Sequence, residues 1–97
     1  MEHLLVSFKV KKDKVEEAKN AIRKFVDEIS RKEPGIVLYN CFQEKVDGTS
    51  FIHIMTFVSE KAEEHHRHTS YVKKFTDRLY PICEVEPVFS ELKPGVF

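Results

Sequence analysis

Residues 57–75 read FVSEKAEEHHRHTSYVKKF. The stretch opens with Phe57, an aromatic residue that closes a run of strand-like alternation, and Ser59 then supplies a helix-start signal. Histidines follow at positions 65, 66 and 68, before Thr69 and Ser70 interrupt the helical pattern. These features predict a strand followed by two short helices, at about residues 60–67 and 70–79.

The first third of the chain predicts a strand and then a long helix. Apolar residues at positions 4, 6, 8 and 10 alternate with polar ones, which is the period of a strand. From residue 15 to residue 29 the apolar residues instead recur at helical spacing, with Lys and Glu on the other face. Asp13 stands three residues before Glu16 and is expected to cap this helix in a capping box. Pro34 and Gly35 should end the helix, because proline restricts the preceding residue and glycine turns the chain.

Three further strands are predicted in the rest of the chain. Residues 36–45 and 50–58 alternate and are joined by Asp47-Gly48, a strong hairpin signal. Strict alternation in the first of them places Ile36, Leu38 and Phe42 on one face and Val37, Tyr39 and Cys41 on the other. The last strand is expected at residues 85–92, where Pro87 indicates a sheet edge or a bulge.

This order of elements predicts an α+β fold, the ferredoxin-like split β-α-β-β-α-β sandwich with a four-stranded antiparallel sheet. No linker, repeat or low-complexity tract divides residues 1–97, so they are expected to form a single domain. The helices should cover one face of the sheet. The other face also carries apolar residues, and burying it against a second copy of the chain predicts a homodimer.

Charge and composition exclude several classes of protein. Lys and Arg together number 16, as do Asp and Glu, so the net charge is zero and neither nucleic acid nor an anionic membrane is an expected partner. No apolar run approaches the roughly 20 residues needed to span a bilayer, and the N-terminus lacks the pattern of a signal peptide. Cys41 and Cys83 are too sparse for a disulfide framework. A cytoplasmic location is therefore expected.

Two motifs connect the sequence to a known family. The segment EPGIVLY at residues 33–39 matches the pattern E-P-G-x-x-x-Y. Phe57 is followed after eight residues by His66, and after two more by Thr69, which fits an aromatic-His-Thr pattern after the third strand. On these motifs the chain resembles the antibiotic-biosynthesis-monooxygenase (ABM) domain family. The resemblance implies a dimeric α+β barrel whose cavity binds a small aromatic molecule, and oxygenation of a quinol or polyphenol without a metal or organic cofactor.

The same resemblance selects the candidate catalytic residue. His66 matches the family's histidine and is the candidate catalytic base, because an imidazole titrates near neutral pH and can accept a phenolic proton. The alternative is that His66 only makes a hydrogen bond across a helix junction. The expected walls of the cavity, and hence the candidate substrate-binding residues, are Tyr39, His53, Phe57 and Tyr71, because they lie on elements that must pack together. For His53 the alternatives are a place in the dimer interface and a buried histidine with satisfied hydrogen bonds.

Departures from the family pattern keep a second class of function open. Family members commonly carry Glu and Trp where this chain has Met55 and Phe57, and often His where it has Tyr71. A non-catalytic dimeric α+β barrel, stress-responsive or ligand-binding, is therefore the alternative to an enzyme. A metal site is not expected, because neighbouring histidines on one helix point apart. Heme degradation is not expected either, because the residues of the heme-degrading branch do not match.

Overall fold

A computed structural model of the chain describes residues 1–95 and shows an antiparallel sheet covered on one face by helices. The elements are β1 (Glu2–Lys9), α1 (Val15–Lys32), β2 (Ile36–Gln43), β3 (Ser50–Phe57), α2 (Glu60–Arg67), α3 (Ser70–Leu79) and β4 (Val88–Leu92). The strands are arranged in the order β2-β3-β1-β4, and every neighbouring pair is antiparallel. This confirms the predicted ferredoxin-like α+β fold.

The core lies between the sheet and helices α1 and α3. Along β1 the buried side chains are those of Leu4, Val6 and Phe8, while alternate residues turn to the other face. Helix α1 contributes Phe25, whose ring stacks on Phe75 of α3 with the two centroids 4.2 Å apart. Burial of these apolar and aromatic side chains is the main favourable term that holds the helices on the sheet.

The β2–β3 hairpin turns at Asp47 and Gly48, as predicted, but its connection is longer than a two-residue turn. The Asp47 carboxylate accepts hydrogen bonds from the backbone N–H of Thr49 at 3.1 Å and from the Ser50 hydroxyl at 2.9 Å. These bonds, with a further one from the Thr49 hydroxyl, hold the pKa of Asp47 well below its usual range. The side chain of Asp47 therefore stabilises the loop.

A bulge in β2 makes the predicted facing of its first residues wrong. Ile36 pairs with Phe57, but the next pair is Leu38 with Thr56, so Val37 is an extra residue in the strand. Ile36 consequently packs against the core on the same side as Tyr39, while Val37 is 53% exposed. Strict alternation cannot anticipate an inserted residue. The facing of Tyr39 and Cys41 towards the helices, opposite Leu38 and Phe42, follows the prediction.

The predicted capping box of α1 and the predicted start of β4 are also wrong, although α1 starts at the predicted residue. Helix α1 begins at Val15 after a 3-10 turn at Lys12–Lys14, and its N-cap residue makes no side-chain hydrogen bond, so Asp13 and Glu16 form no capping box. Strand β4 begins at Val88 rather than residue 85. Pro87 lacks the N–H that a strand residue would donate, and it stands just before the strand. The edge position that Pro87 indicated is confirmed, because β4 is the last strand of the sheet.

Gly35 allows the chain to pass closely over α2. A Cβ at this position would lie 2.8 Å from the Cβ of Ala62, whereas a Cβ at Gly48 would meet only the side-chain end of Gln43 at 3.4 Å. We expect Gly35→Ala to lower the free energy of unfolding by about 1–3 kcal/mol, because the backbone must shift to relieve the overlap. Gly48→Ala is the matched control and should change it by less than about 0.5 kcal/mol. Urea unfolding of both variants measures the difference, and equal effects would contradict the close packing.

The face of the sheet opposite the helices carries a row of apolar side chains. Residues paired directly across an antiparallel ladder share a face, so the register identifies its members. We call this the open face, and its apolar members are Leu5, Leu38, Phe42, Ile52, Ile54, Val88 and Leu92. Separately, none of the helices within residues 1–95 has both the length and the apolar character needed to cross a membrane.

Candidate active site

Glu33 and two other buried polar side chains, from different helical segments, form a hydrogen-bonded group. The Nδ1 atom of His66 lies 2.8 Å from Oε1 and 3.0 Å from Oε2 of the Glu33 carboxylate. The Tyr71 hydroxyl donates a hydrogen bond to Oε1 of the same carboxylate. All three residues are buried, with 7% of Glu33, 5% of His66 and 7% of Tyr71 exposed. We call this group the Glu33 cluster.

Local sequence signals bring the members of the Glu33 cluster together. Glu33 is the C-terminal cap of α1, and Pro34 prevents the helix from continuing past it. Ser59 caps α2 by accepting from the N–H of Ala62, and Thr69 caps α3 by accepting from the N–H of Val72. Because α2 and α3 are separated only by His68 and Thr69, their buried faces both reach the end of α1.

The Glu33 cluster sets the hydrogen-bonding state of the His66 ring. Carboxylate oxygens accept hydrogen bonds, so the contact with Glu33 favours the imidazole tautomer that carries its proton on Nδ1. The other ring nitrogen, Nε2, makes no hydrogen bond to any residue in the range 1–95, and in the neutral ring it is an acceptor. Burial and the neighbouring Glu33 carboxylate raise the pKa of the Tyr71 phenol, which therefore stays a neutral donor at pH 7.

A cavity of about 700 Å³ lies between the sheet and helices α2 and α3, and His66 is part of its wall. This volume is within the range of small-molecule sites. Its apolar lining comes from each layer of the fold: Leu4 of β1, Met55 of β3, Val72 of α3 and Phe89 of β4. The combination of an apolar cavity and one imidazole nitrogen free to accept a proton suits a small aromatic molecule that carries a hydroxyl group.

Charged and hydroxylated groups complete the cavity. Arg67 lies beside His66 and forms an ion pair with Glu63 on α2, while Glu91 of β4 is 3.8 Å from the same guanidinium. Thr76 and Tyr80 add hydroxyl groups to the lining. The pair of Arg67 and Glu91 therefore connects α2 to the edge strand across this cavity.

A second buried polar pair, His53 and Tyr39, lies away from this cavity. The Tyr39 hydroxyl is 2.5 Å from Nδ1 of His53, and Nε2 of His53 is buried without a hydrogen-bond partner among the described residues. Burial lowers the pKa of His53 to about 4, so the ring is neutral at pH 7. Burial, and to a smaller extent Cys41, raises the pKa of Tyr39. Both groups are thus uncharged near neutral pH.

The lowered pKa of His53 predicts a loss of stability in acid. Between about pH 6.5 and pH 4 the unfolded chain binds a proton at His53 that the folded chain does not, so the free energy of unfolding falls as the pH falls. The contribution of this residue is up to about 3 kcal/mol over that interval. In His53→Gln this part of the pH dependence should be absent, whereas His65→Gln, at an exposed position, should keep it. Urea unfolding from about pH 7 to pH 4 tests this, and parallel curves for wild type and His53→Gln would contradict it.

The structure separates the residues that the sequence grouped as one pocket. His66 lines the cavity between the sheet and the two short helices. Phe57 is fully buried beneath it, with its ring centroid 5.2 Å from that of His66. Tyr71 joins the Glu33 cluster, and Tyr39 and His53 form the separate pair. These four residues are not in the cavity's lining.

Glu33 is the main residue that the sequence did not identify as part of the site. The sequence identifies Glu33 only as the first residue of the E-P-G motif. A carboxylate at the end of an amphipathic helix and next to the core nevertheless indicates a hydrogen-bonded partner, because buried polar groups are paired. The cavity residues Arg67, Val72, Tyr80 and Phe89 were likewise not predicted. Within residues 1–95, no three His, Cys, Asp or Glu side chains converge as metal ligands would, and both cysteines are free.

Comparison with known proteins identifies the family. The model of the family described as antibiotic biosynthesis monooxygenase matches residues 1–78. The chain belongs to the antibiotic biosynthesis monooxygenase family. No curated protein matches the sequence.

Solved structures share the fold of this chain. A candidate antibiotic biosynthesis monooxygenase from Caulobacter crescentus is 21% identical, with a TM-score of 0.90 over 98% of this chain and 90% of that one. One from Nitrosomonas europaea is 22% identical, with a TM-score of 0.89 over 96% of this chain and 88% of that one. At these identities the likeness shows a shared fold. Family membership supports a general monooxygenase-like role.

Proposed function

We propose that this protein is a cofactor-independent monooxygenase that acts on a quinol, a polyphenol or a related small aromatic molecule. One observation carries the proposal: the Nδ1 atom of His66 is held by the Glu33 carboxylate, and the same residue lines a cavity of about 700 Å³. A base with a fixed tautomer at the wall of a mostly apolar cavity is suited to deprotonating a phenol. Family membership and the ABM-like sequence motifs support the same reaction class.

The proposed first step is transfer of a phenolic proton to Nε2 of His66. The resulting imidazolium keeps its proton on Nδ1 and donates it in a hydrogen bond to Glu33, whose negative charge stabilises the positive ring. Tyr71 is a positioning residue, because its hydroxyl holds the Glu33 carboxylate in place. Phe57 is a second positioning residue, because its ring packs against that of His66. In this scheme Tyr39 and His53 support the fold rather than contact the substrate.

The deprotonated substrate then supplies the electrons that reduce oxygen. For a simple hydroquinone the balanced reaction gives a hydroxyquinone and one water per oxygen molecule. The substrate is oxidised by four electrons, one oxygen atom enters the ring, and the other leaves as water. No flavin or metal is required by this balance, and we propose that neither takes part.

Oxygen uptake by the purified protein tests the proposed function. A panel of hydroquinones and polyphenols should include at least one compound that is oxidised in proportion to protein concentration and well above its rate of autoxidation. Because a phenol must lose its proton first, the rate should rise with pH through the neutral range. If no compound in a broad panel is consumed faster with protein than without it, the enzymatic proposal is wrong.

We propose that the functional unit is a cytoplasmic homodimer in which two open faces pack together. The open face leaves Phe42 53% and Ile52 41% exposed in a single chain, and apolar surface of this extent is costly in water. A second copy is the favoured occupant because the chain has no net charge and the face can pair with itself around a two-fold axis.

Light scattering at micromolar concentration tests the dimer. The mass should be about twice that of the 11.4 kDa chain. Ile52→Glu should shift the protein to monomer, because it would bury a charge in the interface. Val46→Glu is the control, since Val46 is 95% exposed in the hairpin loop, and it should leave the dimer intact. A monomer well above micromolar concentration would contradict the proposal.

A non-catalytic ligand-binding role is the second candidate. It is favoured by the burial of the Glu33 cluster, whose hydrogen bonds tie together the ends of α1, α2 and α3. In that case the same cavity would bind an aromatic molecule without converting it. Binding of a quinol without oxygen uptake would favour this candidate.

A further inference from the structure

A groove of about 250 Å³ lies on the helical side of the molecule, between α1 and α3. Its floor is formed by Ala21 and Phe25 of α1 and by Tyr71 and Phe75 of α3. On each helix the residues that line the groove recur three or four positions apart, and residues at this spacing share a helix face. The floor is therefore apolar and aromatic. It is distinct from the cavity that His66 lines.

The rim of the groove carries an excess of positive charge. Lys24, Lys74 and Arg78 line it, and all are exposed. None of them has an ion-pair partner within 4.0 Å in the part of the chain that the structure describes. Acidic side chains also line the groove, but each of them already has a cationic partner.

The two carboxylates of the groove are neutralised from outside it. Glu28 pairs with Lys32 at 3.2 Å, and Asp77 pairs with Lys73 at 3.1 Å. Neither of these lysines is part of the lining. Three cations thus remain uncompensated around an aromatic floor, although the chain as a whole has no net charge.

We propose that this groove is a second ligand site, one that binds a small aromatic anion such as an aryl carboxylate. The ring of the ligand would fill the groove against the edges of Phe25 and Phe75, which are 4% and 9% exposed, and its carboxylate would face Lys74 and Arg78. The arginine can bind a carboxylate through two parallel hydrogen bonds, whereas a lysine supplies a point charge. The volume fits one or two fused rings and is too small for a peptide helix. This site does not depend on the proposed oxygenation.

A titration with 2-naphthoate, followed by the backbone amide signals in an NMR spectrum, tests the proposal. The signals of α1 and α3 around Lys24, Lys74 and Arg78 should shift together. The double variant Lys74→Gln with Arg78→Gln should bind about five- to tenfold more weakly, which is the effect of removing two exposed charge contacts. Binding should also weaken at high salt.

Two controls show whether binding depends on the charge of the ligand and on the location of the basic residues. Lys61→Gln removes one charge from an exposed position on α2, outside the groove, and should leave the affinity unchanged. The neutral analogue 2-naphthamide, of nearly the same shape, should bind more weakly than 2-naphthoate. Equal binding of the amide, equal affinity of the double variant, or shifts confined to the cavity around Met55 and Phe89 would overturn the proposal. These outcomes are measured without oxygen and are independent of whether the protein is an enzyme.

Discussion

His66→Ala is expected to lower turnover by roughly 10²-fold or more, which is the usual scale for loss of a positioned general base. The reason is that alanine removes Nε2, the ring nitrogen that we propose as the proton acceptor. Oxygen uptake at saturating quinol measures the effect. The loss should appear mainly in kcat, because the apolar lining that binds the ring is unchanged.

Because His66 is buried, a second variant is needed to separate chemistry from folding. His66→Asn keeps a side-chain N–H close to the position of Nδ1, where it can still donate to Glu33, but it offers no base in place of Nε2. It should be as inactive as His66→Ala while unfolding at a urea concentration closer to that of the wild type. His65→Ala, at the exposed neighbouring position, should retain full activity. Turnover of His66→Asn near the wild-type rate would remove His66 from the mechanism.

Glu33→Ala is expected to have the largest effect on stability. It leaves the Nδ1–H of His66 and the hydroxyl of Tyr71 buried without their shared acceptor. Loss of a partner from a buried network of this kind costs about 3 kcal/mol of unfolding free energy. Chemical denaturation measures the change, and thermal unfolding should shift in the same direction.

The control for Glu33 is an exposed carboxylate. Glu64→Ala removes an exposed carboxylate from α2 and should change stability by less than about 0.5 kcal/mol. Glu33→Gln should fall between the two, since the amide oxygen can still accept hydrogen bonds but carries no negative charge to strengthen them. A Glu33→Ala protein as stable as Glu64→Ala would show that the Glu33 cluster contributes nothing to folding.

The fold was predictable because its determinants are local and periodic. Alternation in β1 and β3, the caps at Ser59 and Thr69, and the stop at Pro34 all act within a few residues of where they stand. The bulge at Val37 was not predictable in this way. It arises from how β2 pairs with β3, which is a property of two strands rather than of one sequence pattern.

The site was predictable only in part, because its contacts cross long sequence distances. His66 could be selected by its match to a family motif, but its partner Glu33 lies 33 positions earlier in the chain. The wall residue Phe89 comes from an edge strand whose pairing with β1 closes the cavity. Tyr39 and His53 are candidates for the cavity wall because they lie on elements that must pack together, yet the structure places them in a separate buried pair.

Oxidation of a hydroquinone in ¹⁸O₂, followed by mass spectrometry of the product, tests the central claim most directly. The proposed monooxygenation predicts one ¹⁸O atom in the hydroxyquinone for each oxygen molecule consumed, with the other atom in water. The rate should follow protein concentration and fall by roughly 10²-fold in His66→Asn. A product without ¹⁸O, with hydrogen peroxide formed in equal amount, or no uptake above autoxidation, would contradict the account.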